Sequence, residues 1–223
     1  MRVLRRVALA LPLACALPDV LPQSIPAPAP AAAEPVPNEK PRGIYATIDT
    51  SRTNSEIRQL GQLIPTPRRD AIAAAVADAP RLAPPALYAL ANAVALDDAY
   101  MTNAVFWYHV ARIRAVYDAL RCRDATARGV VNDFGKRVNP DISRYQRQHR
   151  EQTLQIAGLA LKWDREHPHD YDHRWINLYG KVVRYSEGTD PAELTVPESE
   201  WPAILQHVHE AHLKSVEEFA TQK

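Results

Sequence analysis

The sequence contains few glycines and almost no cysteine, and both shortages exclude familiar kinds of functional site. Only seven of its 223 residues are Gly, and it has no P-loop, no dinucleotide-binding glycine pattern and no nucleophile elbow. The two cysteines are Cys15 and Cys122. If the N-terminal segment is removed during export, Cys122 cannot form an intrachain disulfide, so we expect it to be a small buried apolar residue rather than a reactive thiol.

The sequence also lacks an excess of charge of either sign. It has 27 basic and 26 acidic residues, of which four basic and three acidic residues lie in residues 1–41. The remainder of the chain therefore has 23 of each. Binding to nucleic acid requires an uncompensated basic face, and binding to anionic lipid requires a basic patch. The balance argues against both, and no nucleic-acid partner is predicted.

The first residues have the order of a secretory signal peptide. Three arginines precede an apolar run over residues 7–16, which is too short to span a bilayer. Small residues suited to cleavage end at Ala16 and again at Ala33. The sequence therefore predicts a signal peptide over residues 1–16, or as far as 33, and a mature protein that is periplasmic or secreted.

Cys15 offers a second interpretation of this segment. Leu13-Ala14-Cys15 resembles the end of a bacterial lipobox, the signal that directs a lipid to a cysteine. On that interpretation Cys15 is the lipidation site, and the protein meets the membrane only through its lipid anchor. On the alternative interpretation the signal is simply cleaved, and Cys15 is one of its small apolar residues.

Residues 17–41 form a segment of distinct composition. They consist largely of Pro and Ala with few large apolar residues, and such a chain stays extended because it has little to bury in a core. We therefore expect a disordered linker over residues 17–41 and a single folded domain over residues 42–223.

A long helix over residues 98–121 is expected at the centre of this domain. Large apolar residues recur on one side of it at spacings of three and four, and small residues recur on a second side. The two stripes are Phe106, Val110, Ile113, Tyr117 and Leu120, and Ala104, Tyr108, Ala111, Ala115 and Ala119. Two sides of the helix are therefore predicted to be buried.

The third side of this helix carries a polar strip of Arg112, Arg114, Asp118 and Arg121. The spacing places Asp118 between Arg114 and Arg121 on one helix face. Such a bracket is either a structural ion network that fixes a neighbouring loop or half of an anion site. We favour the structural network, because pairing within the chain leaves little positive charge for a ligand.

Capping residues and prolines indicate where helices begin and end. Asp97 and Asp98 are expected to cap the central helix, Asn139 and Pro140 to begin another helix, and Gly135 to stop the helix before it. Helices are expected over residues 66–79, 85–96, 124–135 and 139–166 and from residue 199 onwards, with a short candidate over 56–63. No segment has a convincing strand pattern. The sequence predicts an all-α protein, an irregular bundle of five or six helices.

One pair of helices in this bundle resembles a known repeat. Leu87-Tyr88-Ala89-Leu90-Ala91, followed by Ala104, Trp107, Tyr108 and Ala111, is similar to one helical hairpin of the Sel1-like and tetratricopeptide repeats. The chain as a whole also resembles small exported, uncharacterised helical proteins of proteobacteria. The repeat resemblance implies a hairpin that binds a protein partner through an exposed groove, which is an analogy at the level of the fold.

Histidines are concentrated in two parts of the sequence. His167, His169 and His173 lie in one loop, whereas His209 and His212 share a face of the last helix. Imidazole and carboxylate together suit a divalent metal, so these five are candidate ligands, and a metal-binding protein or metal-dependent hydrolase is the alternative function. The His209–His212 spacing is one residue short of the zinc-protease motif. Solvated or hydrogen-bonded histidines are the ordinary interpretation, and no cofactor is predicted.

The loop around residues 172–179 is the candidate partner site. Arg174, Trp175, Asn177 and Tyr179 have the composition of an interface anchor, yet the same residues would serve equally well to plug the end of the bundle. No catalytic residue is identified, because an isolated Ser or Asp with a distant His is not a triad. The leading hypothesis is an exported protein-binding module of the bacterial envelope, an adaptor or an immunity protein against a secreted toxin.

Overall fold

The computed structural model describes residues 41–181, 190, 192 and 194–221. The predicted signal peptide, the candidate lipidation site Cys15 and the linker before residue 41 lie outside the described residues. No helix among those described combines the length and the apolar character needed to cross a membrane.

The described residues form eight α-helices and no β-strand, joined in several places by short 3-10 turns. The α-helices are α1 Ser51–Leu60, α2 Pro65–Ala77, α3 Pro84–Val94, α4 Met101–Arg121, α5 Gly129–Lys136, α6 Pro140–Gln148, α7 Arg150–Glu166 and α8 Trp201–Thr221. The prediction of an all-α bundle is confirmed. The described part of the chain contains more helices than the five or six expected.

Two local features account for the larger number of helices. Helix α1 begins at Ser51, five residues before the short helix predicted from residue 56. The long helix predicted over 139–166 is interrupted at His149, whose backbone angles of φ −126° and ψ 56° are not helical. The carbonyl of His149 accepts hydrogen bonds from the backbone N–H of Thr153 at 2.8 Å and from its hydroxyl at 2.9 Å. These are the first hydrogen bonds of a separate helix, α7, which begins at Arg150.

The predicted caps are partly confirmed. The side chain of Asn139 accepts a hydrogen bond from the backbone N–H of Asp141 at 2.9 Å and begins α6 as expected. Asp97 caps the 3-10 turn Asp98–Tyr100 instead of the central helix, so α4 begins at Met101. The prediction that Gly135 stops a helix was wrong, because Gly135 lies within α5.

Helix α4 lies at the centre of the core and contacts α3, α5, α6, α7 and α8. The predicted stripes are buried at most positions, including every alanine of the small-residue stripe, while Phe106, Tyr108 and Leu120 are half-buried. The small residues let α3 approach closely, and nine of its eleven residues are buried. The polar third side is also buried at Arg114 and Asp118, which is the feature of this core that requires explanation.

Cys122 lies at the C-terminal end of α4 and is 1% exposed, as predicted for a buried apolar residue. Its sulfur lies 3.2 Å from the side-chain oxygen of Asn177. Burial raises the pKa of the thiol to about 11, so the thiolate that would make it reactive is strongly disfavoured.

The small-residue stripe leads to the first prediction. Replacing Ala115, which is fully buried, with Leu should overpack the α4 core and lower the free energy of unfolding by about 1–3 kcal/mol. Urea unfolding followed by circular dichroism measures the change. Ala73→Leu is the matched control, because Ala73 is exposed on α2 and the same added volume should change stability by less than about 0.5 kcal/mol. Equal effects of the two substitutions would contradict the close-packing argument.

Candidate functional site

A buried carboxylate, Asp164 on α7, lies at the centre of the polar interior. Its Oδ1 accepts hydrogen bonds from Nε of Arg114 at 2.8 Å and from Nε2 of His169 at 3.0 Å. Its Oδ2 accepts one from Nε2 of His209 at 2.8 Å. We call Arg114, Asp164, His169 and His209 the Asp164 cluster. The cluster joins α4, α7, α8 and the loop that follows α7.

Arg114 satisfies the rest of its donors with backbone carbonyls. Its Nη1 donates to the carbonyl of Pro80 at 3.1 Å, and its Nη2 donates to the carbonyl of Pro168 at 3.2 Å. The guanidinium also lies 5.0 Å from the centre of the Trp163 ring, a favourable cation–π distance. One side chain on α4 therefore fixes both the turn before α3 and the loop after α7.

The hydrogen bonds determine the protonation of the Asp164 cluster. Burial alone raises the pKa of Asp164, but hydrogen bonds from His169 and His209 and the charge of Arg114 outweigh it and hold the pKa well below its usual range. Asp164 is therefore ionised, and each histidine must donate an Nε2–H to it. Nε of Arg165 donates a long hydrogen bond, of 3.4 Å, to Nδ1 of His209, so both nitrogens of that imidazole have partners.

A second buried carboxylate, Asp118, lies on the same face of α4. It accepts hydrogen bonds from Arg121, from the indole Nε1 of Trp175 at 2.7 Å and from the hydroxyl of Tyr171 at 3.4 Å. Burial raises the pKa of Asp118, and the charge of Arg121 opposes that rise only in part. The predicted bracket of one carboxylate between two arginines is corrected: Arg121 pairs with Asp118, whereas Arg114 pairs with Asp164.

A cavity of about 650 Å³ opens beside these groups, between α4, α7, α8 and the loop after α7. We call it the Asp164 cavity. Its wall includes Asp164, His169, His209, Tyr117 and Arg121. His169 makes one hydrogen bond within the described part of the chain, through Nε2, and its Nδ1 is the nitrogen that can accept a proton or a hydrogen bond from an occupant. The carboxylate of Asp164 therefore orients the imidazole of His169 at the wall of the cavity.

The five candidate metal ligands do not form one site. His169 and His209 do meet, but their Nε2 atoms point at a carboxylate that Arg114 already neutralises. The other three lie elsewhere, with His167 hydrogen-bonded to the carbonyl of Trp163, His173 against the ring of Trp201 and His212 bonded to His109. Within the described ranges no group of three or more His, Cys, Asp or Glu is placed to hold a metal ion.

The four predicted partner-binding residues divide into two pairs. Trp175 and Asn177 are 2% and 1% exposed and hydrogen-bond within the protein. For these two the structure favours the plug over the interface anchor, since neither side chain can be presented to a partner in this conformation. Arg174 and Tyr179 are half-buried, and Arg174 makes a two-pronged ion pair with Asp172, at 2.8 and 2.7 Å.

A buried pair of histidines forms a second polar contact between α4 and α8. Nδ1 of His109 lies 3.1 Å from Nε2 of His212, and both residues are buried. Burial and the nearby positive groups, Arg112 among them, lower the pKa of His212 to about 4 and that of His109 well below its ordinary value. Both imidazoles are therefore neutral at neutral pH.

Sequence reasoning missed Asp164 and His109. A signal for Asp164 was present, because it follows Ala157, Ala160 and Leu161 on the buried face of α7 at helical spacings of seven, four and three. An acidic residue on an apolar face requires a buried partner. Its partners lie 5, 45 and 50 residues away in the chain, so the sequence does not identify them.

Comparison with known proteins gives no relative for this chain. No family model matches the sequence, and searches of curated proteins and of solved structures find no significant match.

The Asp164 cluster leads to the second prediction. Asp164→Asn should lower the free energy of unfolding by about 3–5 kcal/mol, because it leaves the buried charge of Arg114 without its partner. Asp170→Asn is the matched control, because Asp170 pairs with Arg81 at the surface, where both side chains are more than half exposed, and such pairs contribute less than about 1 kcal/mol. Chemical unfolding of both variants measures the difference. Equal losses would show that the cluster does not hold the helices together.

The histidine pair leads to the third prediction, a loss of stability in mild acid. The pKa of His212 is about 4 in the folded protein against an ordinary 6.5, so below pH 6.5 the unfolded chain binds a proton that the folded chain does not. Stability is complete above pH 6.5 and is lost as the pH falls towards 4, with His212 contributing on the order of 2 kcal/mol. Urea unfolding at pH 7.0 and pH 4.5 measures the loss.

His212→Gln provides the control for this pH dependence. The variant lacks the titrating group and should lose less stability between the two pH values than the unchanged protein does. Asp164 does not contribute in this window, because a carboxyl with a depressed pKa loses its stabilising effect only below its ordinary pKa, near pH 4. An identical pH dependence in the variant would contradict the assignment to His212.

Proposed function

We propose that the protein is an exported helical module of the bacterial envelope that binds another protein through the α1–α2 hairpin. The observation that carries this proposal is an apolar surface at the start of α2. Leu63 and Ile64, in the loop between the two helices, are 71% and 62% exposed, and Val76 near the end of α2 is 43% exposed. The N-terminal sequence, with its signal-like run and Pro/Ala segment, supports export.

Helix α2 differs from the other long helices in how little of it is buried. Ala75 is the one buried residue of its thirteen, whereas α3 and α4 are buried over most of their length. A helix on the surface of a protein usually turns one apolar stripe to the core. Adjacent exposed Leu and Ile in the loop that leads into such a helix are typical of a surface that a partner covers.

The contacts of α2 hold its C-terminal end and leave its N-terminal end projecting. Asp78, just after the helix, forms salt bridges with Arg52 of α1 and with Arg81 before α3, while residues 61–67 are all exposed. Exposed salt bridges of this kind contribute about 0–1 kcal/mol each. The apolar tip formed by Leu63 and Ile64 is thus displayed on an anchored hairpin.

The loop at residues 172–179, which we call the aromatic loop, is the competing surface for the same function. Arg174 and Tyr179 retain partial exposure there, but Arg174 is already engaged by Asp172 and lies 3.3 Å from the hydroxyl of Thr47. The α1–α2 tip has no comparable internal partners for its two large apolar side chains. We therefore propose the tip as the primary surface, for an adaptor or an immunity protein alike.

The fourth prediction tests this surface by site-specific photo-crosslinking in the host bacterium. A photoreactive amino acid in place of Val76 should give one discrete adduct with a second protein. Leu63→Asp in the same chain should remove that adduct, because the charge cannot be buried against an apolar partner, and it should leave the melting temperature unchanged because the side chain is exposed.

Two control variants make the crosslinking result specific. Leu159 is 59% exposed on α7, so Leu159→Asp makes the same change on another helix and should leave the adduct intact. Arg174→Ala should also leave it intact. Loss of the adduct with Arg174→Ala but not with Leu63→Asp would move the binding surface to the aromatic loop, and no adduct from residue 76 would overturn the proposal.

A further inference from the structure

A second cavity, of about 500 Å³, lies where α4, α5, α6, α7 and α8 converge. We call it the His109 cavity. It is deep and open: His109, His212 and Val216 in its wall are buried, whereas Lys136 and Ser215 are exposed. His209 and His212, one helical turn apart on α8, line the Asp164 cavity and the His109 cavity respectively. The two cavities are neighbours that share no lining residue, and nothing in the proposed partner surface uses the second one.

The two charged side chains in the wall of the His109 cavity, Arg112 and Lys136, are both positive. Arg112, Lys136 and the two histidines line it, and no Asp or Glu of the described residues does. Nζ of Lys136 lies 3.5 Å from Oδ1 of Asp133, and both side chains of this salt bridge are exposed. Arg112 takes part in none of the salt bridges found among the described residues. Its guanidinium therefore leaves a positive charge at the cavity wall without a carboxylate to offset it.

Two buried side-chain nitrogens of cavity-wall residues have no hydrogen-bond partner among the described residues. The first is Nε2 of His109, a residue that is 3% exposed, and the second is the side-chain Nε2 of Gln146. When His212 donates its Nε2–H to Nδ1 of His109, the His109 ring carries its own proton on Nε2. That N–H is then an unpaired donor, and buried donors are almost always paired in native proteins.

We propose that the His109 cavity binds a small organic anion, whose phosphate or carboxylate oxygens accept hydrogen bonds from His109 and Gln146 and pair with Arg112. An oxyanion supplies the two things that the wall lacks, a negative charge and several acceptors in one group. A cation is repelled by Arg112 and Lys136. A neutral ligand leaves the guanidinium charge uncompensated.

The size and lining of the cavity indicate an anion with an organic part. A volume of about 500 Å³ lies within the range of small-molecule sites and exceeds what an inorganic ion fills. Tyr108, Val216 and Phe219 supply apolar wall beside the basic groups. The lowered pKa values of both histidines are consistent with this assignment, because after burial it is positive neighbours, including Arg112, that disfavour their protonation.

The fifth prediction is tested by calorimetric titration of the full-length protein with phosphate and with malonate, in a phosphate-free buffer at constant ionic strength. We expect saturable binding of one anion per chain and a rise in melting temperature that sodium chloride does not reproduce. The anion that binds more tightly shows whether the site prefers a phosphate or a carboxylate group. Nε2 of His109 should also shift in the ¹⁵N NMR spectrum as the anion binds.

Arg112→Gln should weaken binding at least tenfold, since it removes the unpaired charge. Arg69→Gln is the matched control, because Arg69 is exposed on α2, and it should change the affinity by less than twofold. If Arg112→Gln does not fold, the exposed residue Lys136 offers a second variant, Lys136→Gln, with an expected loss of threefold or more. The absence of saturable binding with both anions, or unchanged affinity in a folded cavity variant, would overturn the proposal.

Discussion

The ion pair between Arg114 and Asp164 is the interaction on which the rest of the structure depends. Both side chains are completely buried, and removing either partner leaves a charge in the interior, which costs several kcal/mol. Their hydrogen bonds also involve His169, His209 and the turn before α3. One pair of charges and its hydrogen bonds therefore connect three helices and two connecting segments.

Helix α4 has two roles because its faces differ in chemistry. Its small-residue stripe packs against α3, whereas its polar side carries Arg114, Asp118 and Arg121 into the interior. The same helix also supplies His109 to the contact with α8. The Asp164 cavity lies beside the polar side of α4, and the His109 cavity lies beside the histidine pair. The direction in which each face of α4 points therefore determines where both cavities lie.

The two proposed activities lie in different parts of the molecule. The proposed protein-binding surface is built from residues 51–77, and the proposed anion site from residues 108 onwards. The first is apolar, exposed and only lightly held by surface salt bridges. The second is basic, open to solvent and lined by five helices. Because the two share no residue, a substitution in one is not expected to alter the contacts of the other.

Patterns within a few residues were enough to predict the all-α class, the buried stripes of α4, the burial of Cys122 and the cap at Asn139. Contacts between distant segments produce the break at His149, the burial of Trp175 and the pairing of Arg114 with Asp164 instead of Asp118, and no local pattern shows them. The sequence offered His169 and His209 as candidate metal ligands, with hydrogen-bonded histidines as the ordinary interpretation, but it could not identify Asp164 as their shared partner, because Asp164 and His209 lie on different helices. A local pattern fixes how a segment folds, whereas the partner of a buried charge depends on which faces the packed helices turn towards each other.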